Sequence, residues 1–238
     1  DSQHKILVFE PNSSKKAGKV ETNTIENISL LAQERIKTIS SKSADYPDQL
    51  KLFTEKELYL FNSNDISVES YDISLISSSK PSLEEIEIVK KLVNHCVEHR
   101  LSILFGSSVF DKKMAFEASK KGIAVGVFMP TGIFKSAQKA NLSENLTRLT
   151  LLSIGDPFDS FDRKAYIPSV LSRLFLTNKA IFTTSRLEWV SKQARYIKKS
   201  HSKFYYTGTP ALSEKDTLAI EKISAVKIDV EGNTVNLD

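Results

Sequence analysis

The segment Asp72–Ser82 has the sequence DISLISSSKPS, in which a short β-branched apolar run gives way at once to a serine-rich turn. Ile73–Ile76 is therefore predicted to be a buried strand. Ser82 is followed three residues later by Glu85, a spacing typical of a helix capping box, and an amphipathic helix is predicted to continue to about His99. Strand, turn and helix in this order form the first half of a βαβ unit.

The same alternation of short apolar runs and longer helical patterns continues through the middle of the chain. The further predicted strands are Leu101–Phe105, Ile123–Met129, Leu149–Ile154, Ala180–Thr183 and Lys203–Tyr206. The predicted helices between them cover about 110–121, 163–175 and 187–199, with another after Pro130-Thr131-Gly132. This alternation predicts an α/β fold with a Rossmann-like, mostly parallel sheet and helices on both faces.

The strand-to-helix loops of such a sheet lie together at its carboxyl edge, because βαβ crossovers are right-handed. The loops concerned are 77–82, 106–111, 130–135, 156–164 and 184–188. Ligands of open α/β sheets bind outside that edge, so we expect these loops to line one crevice.

The two ends of the chain are predicted to add smaller elements. Lys5–Phe9 is a short apolar run, and apolar residues then recur at helical spacing from Ile25 to Ile36. Near the other end, apolar and polar residues alternate over Val226–Leu237 around Gly232-Asn233, the pattern of a small C-terminal β-hairpin.

The composition is that of a globular protein, with 40% hydrophobic and 26% charged residues in a chain of 238. The longest apolar runs are too short to cross a bilayer, so no membrane association is expected. Cys96 is the one cysteine, which excludes an internal disulfide and favours a reducing cytoplasm. Neither a metal nor a cofactor is expected, since Asp156, Asp159 and Asp162 fit a rigid turn better than a metal-binding loop.

Positive charge is concentrated in residues 163–203, which hold ten basic side chains and one acid, Glu188. This segment has a net charge of +9 in a chain whose total is +4. Phosphate binding needs a local excess of this kind, and aromatic side chains beside a basic groove stack on single-stranded bases. The aromatic residues interleaved with the basic ones are Trp189, Tyr196, Phe204, Tyr205 and Tyr206. The alternative is that Lys192, Arg195 and Lys199 form the solvated face of a helix and that the aromatic residues belong to the core.

Seven segments, taken in order, resemble motifs of the DprA/Smf family of DNA-processing proteins. They are Asp45–Leu50, Glu57–Phe61, Ile73–Ser82, Ile103–Asp111, Ile123–Gly126, Phe161–Lys164 and Phe204–Gly208. The resemblance implies a Rossmann-type core over residues 45–212. A strand and helix extension over 1–44 and a C-terminal helix and hairpin over 213–238 are expected to pack on that core. The resemblance to the DprA/Smf family also implies that the protein binds single-stranded DNA, has a RecA-type recombinase as a partner, and forms a homodimer.

Several positions depart from the motifs of that family. Where the family has an arginine after the first strand, this chain has Ser79 with Lys80 beside it. The family's Asn-Arg pair before a later helix reads as Ala165-Tyr166, and Arg173 is a substitute for its arginine if that helix lies in a different register. The scaffold is therefore expected to be kept while the site is altered.

Candidate ligands for nucleic-acid phosphates lie in the predicted loops and in the basic segment. They are Ser78, Ser79, Lys80, Gly106, Ser107, Ser108, Arg163, Lys164, Arg173 and Arg186. Hydroxyl and backbone N–H groups at a strand end can bind a phosphate, but serines in such turns also cap helices, and both interpretations stay open. Asp111 is predicted to be a helix N-cap. His95, His99 and His201 have no neighbouring nucleophile in the sequence, so no catalysis is expected.

Three hypotheses for the function follow. The first is a non-catalytic protein that binds single-stranded DNA in DNA processing, uptake or recombination. The second is a protein-interaction module on the same scaffold, which the lost arginines favour. The third is a nucleotide-handling protein of the lysine-decarboxylase-like (LOG) group, against which stands the absence of a Gly-Gly-x-Gly-Thr sequence.

Overall fold

The computed structural model of the chain describes residues 36–61, 70–140, 148–159, 162–231, 234, 235 and 237. The predicted strand Lys5–Phe9 and all but the last residue of the predicted helix from Ile25 to Ile36 lie outside these residues. The strands are β1 (Ile36–Ile39), β2 (Leu58–Phe61), β3 (Tyr71–Ile76), β4 (Ile103–Phe105), β5 (Val125–Phe128), β6 (Leu149–Ser153), β7 (Thr177–Phe182), β8 (Lys203–Tyr206), β9 (Val226–Lys227), β10 (Val230–Glu231) and β11 (Thr234–Val235). The α-helices are α1 (Asp48–Lys51), α2 (Leu83–Glu98), α3 (Val109–Lys120), α4 (Ile133–Ala140), α5 (Tyr166–Phe175), α6 (Glu188–Ile197) and α7 (Glu214–Lys222). Short 3-10 turns at Arg163–Ala165 and Lys198–Ser200 precede α5 and follow α6.

The described residues form one nine-stranded sheet with the order β1-β2-β6-β5-β4-β3-β7-β8-β9. From β6 to β9 all neighbouring strands are parallel, whereas β1 and β2 join the edge in antiparallel pairing. The predicted mostly parallel α/β sheet is confirmed. The chain builds outward from β3 in one direction through β4, β5 and β6, and then returns to place β7 and β8 on the other side of β3. Such a reversal opens a crevice at the carboxyl ends of the central strands.

Helices cover both faces of the sheet, as predicted. On one face, Leu75 and Phe105 pack with Leu92 of α2 and Met114 of α3. On the other, Ile76 and Phe182 pack with side chains of α5, α6 and α7. Each fully buried aliphatic or aromatic side chain contributes roughly 1.5–3 kcal/mol to this packing. The sheet is thus a rigid platform whose carboxyl edge is left for the loops.

The starts of α2 and α3 differ from the sequence-based expectation. Ser82 accepts a hydrogen bond from the Glu85 backbone N–H at 3.1 Å, but the Glu85 carboxylate turns away from Ser82 and is used elsewhere. In α3 the full capping box is present with Ser108 as N-cap and Asp111 at the third helical position. The prediction that Asp111 is itself the N-cap was wrong, because Ser108 has the extended backbone of a cap (φ −61°, ψ 162°) and the helix begins directly after it.

Two elements near the chain ends are also corrected. Ile36 begins a strand rather than ending a helix, because it pairs with Phe61 and its side chain packs against the core. The C-terminal hairpin is shorter than predicted: Val226–Lys227 instead extends the main sheet, in parallel register with Tyr205–Tyr206. Within the predicted hairpin, the described antiparallel pair is limited to β10 and β11, and the predicted turn Gly232-Asn233 lies outside the described residues. In the part of the chain that the structure describes, no helix is long and apolar enough to span a membrane.

Candidate nucleic-acid interface

A cavity of about 540 Å³ lies at the carboxyl edge of the sheet, where β3, β4 and β5 end. Its wall includes the loops after these strands, the first turns of α3 and α4, and one side of α5. Five of the ten predicted site residues line it: Ser79, Gly106, Ser107, Ser108 and Arg173. Four of the five loops predicted to line one crevice, 77–82, 106–111, 130–135 and 156–164, contribute described residues to the lining, whereas the loop 184–188 does not.

Arg173 is the most unusual of these side chains because it is only 5% exposed. Its Nη1 donates to the Leu75 carbonyl oxygen at 3.1 Å, which is its single hydrogen bond within the described ranges. Burial lowers the pKa of the Arg173 guanidinium, and the negative charge of Asp111 acts in the opposite direction. Among the described residues, one of the five guanidinium N–H groups therefore has a hydrogen-bond acceptor, and no acceptor is found there for the other four.

Asp111 lies beside this guanidinium and is held by serine donors. The Ser77 hydroxyl donates to Oδ1, and the Ser108 hydroxyl donates to Oδ2 at 2.8 Å. Gly106 lies between the two charged groups, since a Cβ placed on it would be 2.7 Å from the Asp111 Oδ2 and 3.0 Å from the Arg173 Nη1. The glycine therefore allows the carboxylate and the guanidinium to lie close together at the cavity wall.

The charges around the cavity favour an anion. The cations Arg173, Lys112 and Lys135 line it together with the carboxylates Asp111 and Asp159. The N-terminal turns of α3 and α4 also border it, and helix N-termini carry a partial positive charge with backbone N–H groups directed outward. Because the hydroxyls of Ser77 and Ser108 already donate to Asp111, that carboxylate offsets the cations less than its formal charge suggests.

Ser78 has a different role from its neighbours in the serine-rich turn. Its backbone N–H donates to the Glu85 Oε1 at 2.8 Å, and its hydroxyl donates to the Thr184 Oγ1 at 2.8 Å. The Glu85 side chain is 1% exposed and also accepts from the Thr183 hydroxyl at 3.0 Å. This network joins the loop after β3 to the loop after β7, so Ser78 holds the cavity wall in place rather than lining it.

The remaining predicted residues lie on the surface outside the cavity lining. They are Lys80, Arg163, Lys164 and Arg186, all of them exposed. Sequence reasoning did not single out Lys112, Lys135 or Thr131, which do line the cavity. Lys112 directly follows Asp111, and Lys135 lies in the first turn of the helix after Pro130-Thr131-Gly132, so the loop positions were the available signal for both. Tyr166, which stands where the resembled family has an arginine, also lines the cavity and is 47% exposed.

No group of three or more His, Cys, Asp or Glu side chains within the described ranges is arranged to hold a metal ion. The lining of the cavity includes no histidine or cysteine among the residues described. Apart from the carboxylates of Asp111 and Asp159, its polar groups are hydroxyls, backbone amides and cations, a set that binds phosphate oxygens.

No protein-family profile and no curated protein sequence matches the chain. Among solved structures, the chain is similar to DNA processing protein A (DprA) from Streptococcus pneumoniae, with a TM-score of 0.62 at 14% identity over 83% of this chain and 72% of that one. It is also similar to DNA processing protein A from Helicobacter pylori, with a TM-score of 0.61 at 14% identity over 80% of this chain and 89% of that one. The Helicobacter protein is described with a single-stranded DNA binding mode. The resemblance inferred from the ordered sequence motifs is thus confirmed for the fold: the chain has the α/β fold of DNA processing protein A.

Proposed function

We propose that this protein binds single-stranded DNA at the carboxyl-edge cavity and that it does so without catalysis. The observation that carries the proposal is Arg173, a buried cation at the cavity wall with a single hydrogen bond among the described residues. A guanidinium in this state costs stability unless a ligand uses it, because a buried charge needs several partners. A phosphate group meets that need with charge and with planar, bidentate geometry.

The likeness in fold to two DNA-processing proteins supports a nucleic acid as the source of that phosphate. It extends the proposal to a role in DNA processing, uptake or recombination in the cytoplasm. A RecA-type recombinase as partner and a homodimer remain expectations from the family resemblance. A single DNA strand at this site would have its phosphates bound by Arg173, Lys112 and Lys135. The half-exposed ring of Tyr166, which also lines the cavity, is suitably placed for a base to stack on it.

The proposal is tested by fluorescence anisotropy with a labelled oligothymidine of about six nucleotides, a length within the range of site sizes known for small single-strand-binding domains. Each neutralised phosphate of a single strand contributes about −0.7 to the slope of log affinity against log salt, so three cations predict a slope of about −2. We therefore expect affinity to fall roughly twentyfold between about 50 and 200 mM salt. Absence of binding at the lower salt would contradict the proposal and favour the protein-interaction module. Binding of a mononucleotide as tight as that of the oligomer would favour a nucleotide-handling protein instead.

Gly106→Ala is expected to damage the cavity without unfolding the protein. The new Cβ would lie 2.7 Å from the Asp111 Oδ2 and 3.0 Å from the Arg173 Nη1, so that one of these charged groups must move. We expect a loss of stability of about 1–3 kcal/mol, typical of overpacking, and a loss of at least about tenfold in oligothymidine affinity.

The matched control for this change is Gly122→Ala. Gly122 has a φ of +87° and nothing within 4 Å of an added Cβ, so its substitution strains the backbone away from the cavity. Thermal unfolding and anisotropy of both variants separate the two effects. Equal affinities for the two variants would show that the cavity is not the binding site.

A further inference from the structure

Helix α6 and the 3-10 turn after it carry a row of exposed cations on the side that faces away from the sheet. Val190 and Ile197 of α6 are buried, whereas Lys192 and Arg195 of the helix and Lys199 of the turn are exposed and recur at spacings of three and four residues. We call these three side chains the basic ridge. Their backbone positions extend over about 10 Å along the helix, which matches about three phosphates of a stacked strand.

In the part of the chain that the structure describes, no ion pair compensates the charge of the basic ridge. Between Arg186 and Lys203 the chain has six exposed basic side chains and one acid, Glu188. A solvated helix face usually carries both signs of charge, so an uncompensated row of one sign indicates an anionic partner.

An aromatic side chain borders the basic ridge. Tyr196 is 47% exposed and contacts Phe53 edge-on, with 6.3 Å between ring centroids. Phe53 in turn stacks on Phe175 of α5 at 5.2 Å. The tyrosine ring is therefore supported from below while part of it stays accessible, which suits stacking against a base.

The basic ridge is connected to the cavity through the loop that leads into α6. Thr184 of that loop accepts the hydrogen bond from Ser78, whose neighbours Ser77 and Ser79 line the cavity. The exposed Arg186 follows two residues later, next to Leu187, which is the N-cap of α6. Helix α5, which carries Arg173, packs between the cavity and the same hydrophobic cluster that holds α6.

We propose that the basic ridge is a second nucleic-acid contact, which binds the phosphates of a strand that continues out of the cavity over α6. The path of the nucleic acid out of the cavity rests on the proposed function. The binding of phosphates by the basic ridge does not depend on it. The ridge chemistry selects a polyanion with a regular backbone and exposed bases, and a single-stranded nucleic acid has both. The cavity alone accounts for short oligomers, and the ridge adds affinity for longer ones.

The experiment compares the triple variant Lys192→Gln, Arg195→Gln, Lys199→Gln with wild type on oligothymidines of about six and about twenty nucleotides. The matched control is Lys90→Gln, Lys120→Gln, Lys121→Gln, which removes the same charge from exposed positions on α2 and the end of α3, on the opposite face of the sheet. We expect the ridge variant to bind the short oligomer like wild type and the long oligomer at least about tenfold more weakly at low salt. For the long oligomer, the slope of log affinity against log salt should be less negative by about 2 in the ridge variant, since three phosphate contacts are lost.

The two proposals fail in different ways. An equal loss of affinity for the long oligomer in the ridge variant and the control would show an effect of net charge. Unchanged affinity in both variants would favour an acidic protein as the partner of the ridge. Either result overturns the ridge proposal. If wild type does not bind the short oligomer but binds the long one in a ridge-dependent manner, the cavity function fails and the ridge stands. If wild type binds neither oligomer, both are overturned.

Discussion

Arg173→Met is expected to reduce affinity for a short oligothymidine by about two orders of magnitude, or roughly 3 kcal/mol, the range measured when one partner of a buried charge pair is removed. Methionine matches the length and flexibility of the arginine stem but carries no charge or donor. The side chain is 5% exposed and gives the folded protein only one hydrogen bond, to the Leu75 carbonyl, among the described residues.

The same substitution is expected to leave the thermal stability unchanged or to raise it. Burial lowers the pKa of Arg173, which means that the folded state disfavours its charged form. Replacing a poorly paired buried charge with an apolar side chain of similar volume is often neutral or stabilising. Lost binding together with retained stability would identify Arg173 as a residue kept for the ligand rather than for the fold.

The control for this prediction is Arg148→Met. Arg148 also donates through Nη1 to one backbone carbonyl, that of Gly122 at 2.8 Å, but it is exposed and lies at the amino end of β6, away from the cavity. We expect its oligothymidine affinity to match wild type. Wild-type affinity in Arg173→Met would contradict both the cavity site and the role of the guanidinium.

The sheet could be predicted from the sequence because its strands are short and buried on both faces. Each of the predicted runs Ile73–Ile76, Leu101–Phe105 and Leu149–Ile154 overlaps an observed strand of the parallel part of the sheet. Ile36 was assigned wrongly because helical periodicity is a local signal, whereas its pairing with Phe61 is a contact across 25 residues. The C-terminal strand at Val226 was assigned to the wrong partner for the same reason, since alternation alone does not say which strand is the partner.

The candidate site could be predicted only as a set of loops. The carboxyl-edge rule brought Ser79, Gly106, Ser107 and Ser108 to one cavity without knowledge of any side-chain position. The role of Arg173 depends on the register of α5, which begins at Tyr166, and periodicity fixes a helix boundary only to a few residues. Glu85 looked like a capping residue, yet it binds Ser78 and Thr183 because the fold places β7 beside β3. Such long-range contacts leave no trace in a local pattern.

Gly126→Val is expected to lower the free energy of unfolding by about 3 kcal/mol or more, at the upper end of the range for overpacked cores. Gly126 lies within β5, where strand propensity alone would favour valine and predict stabilisation. The structure reverses this expectation. A Cβ on Gly126 would lie 2.6 Å from the Leu104 Cδ1 and 2.7 Å from both Cζ and Oη of Tyr71, and neither of these side chains has any exposed surface. For a chain of this size, thermal unfolding should begin about 10 °C lower.

A second substitution tests whether the tyrosine ring is the cause. Tyr71→Leu shortens the side chain that crosses Gly126, so the double variant Gly126→Val, Tyr71→Leu should be more stable than the sum of the two single effects by about 1–2 kcal/mol. Chemical denaturation of the four proteins gives this coupling directly. If the effects of the two changes simply add, the ring does not set the requirement for glycine. A coupling of the expected sign would show that Gly126 is needed for space and not for backbone freedom, since its φ is one that any residue adopts. The same distinction separates it from Gly122, where the backbone conformation rather than the space demands glycine.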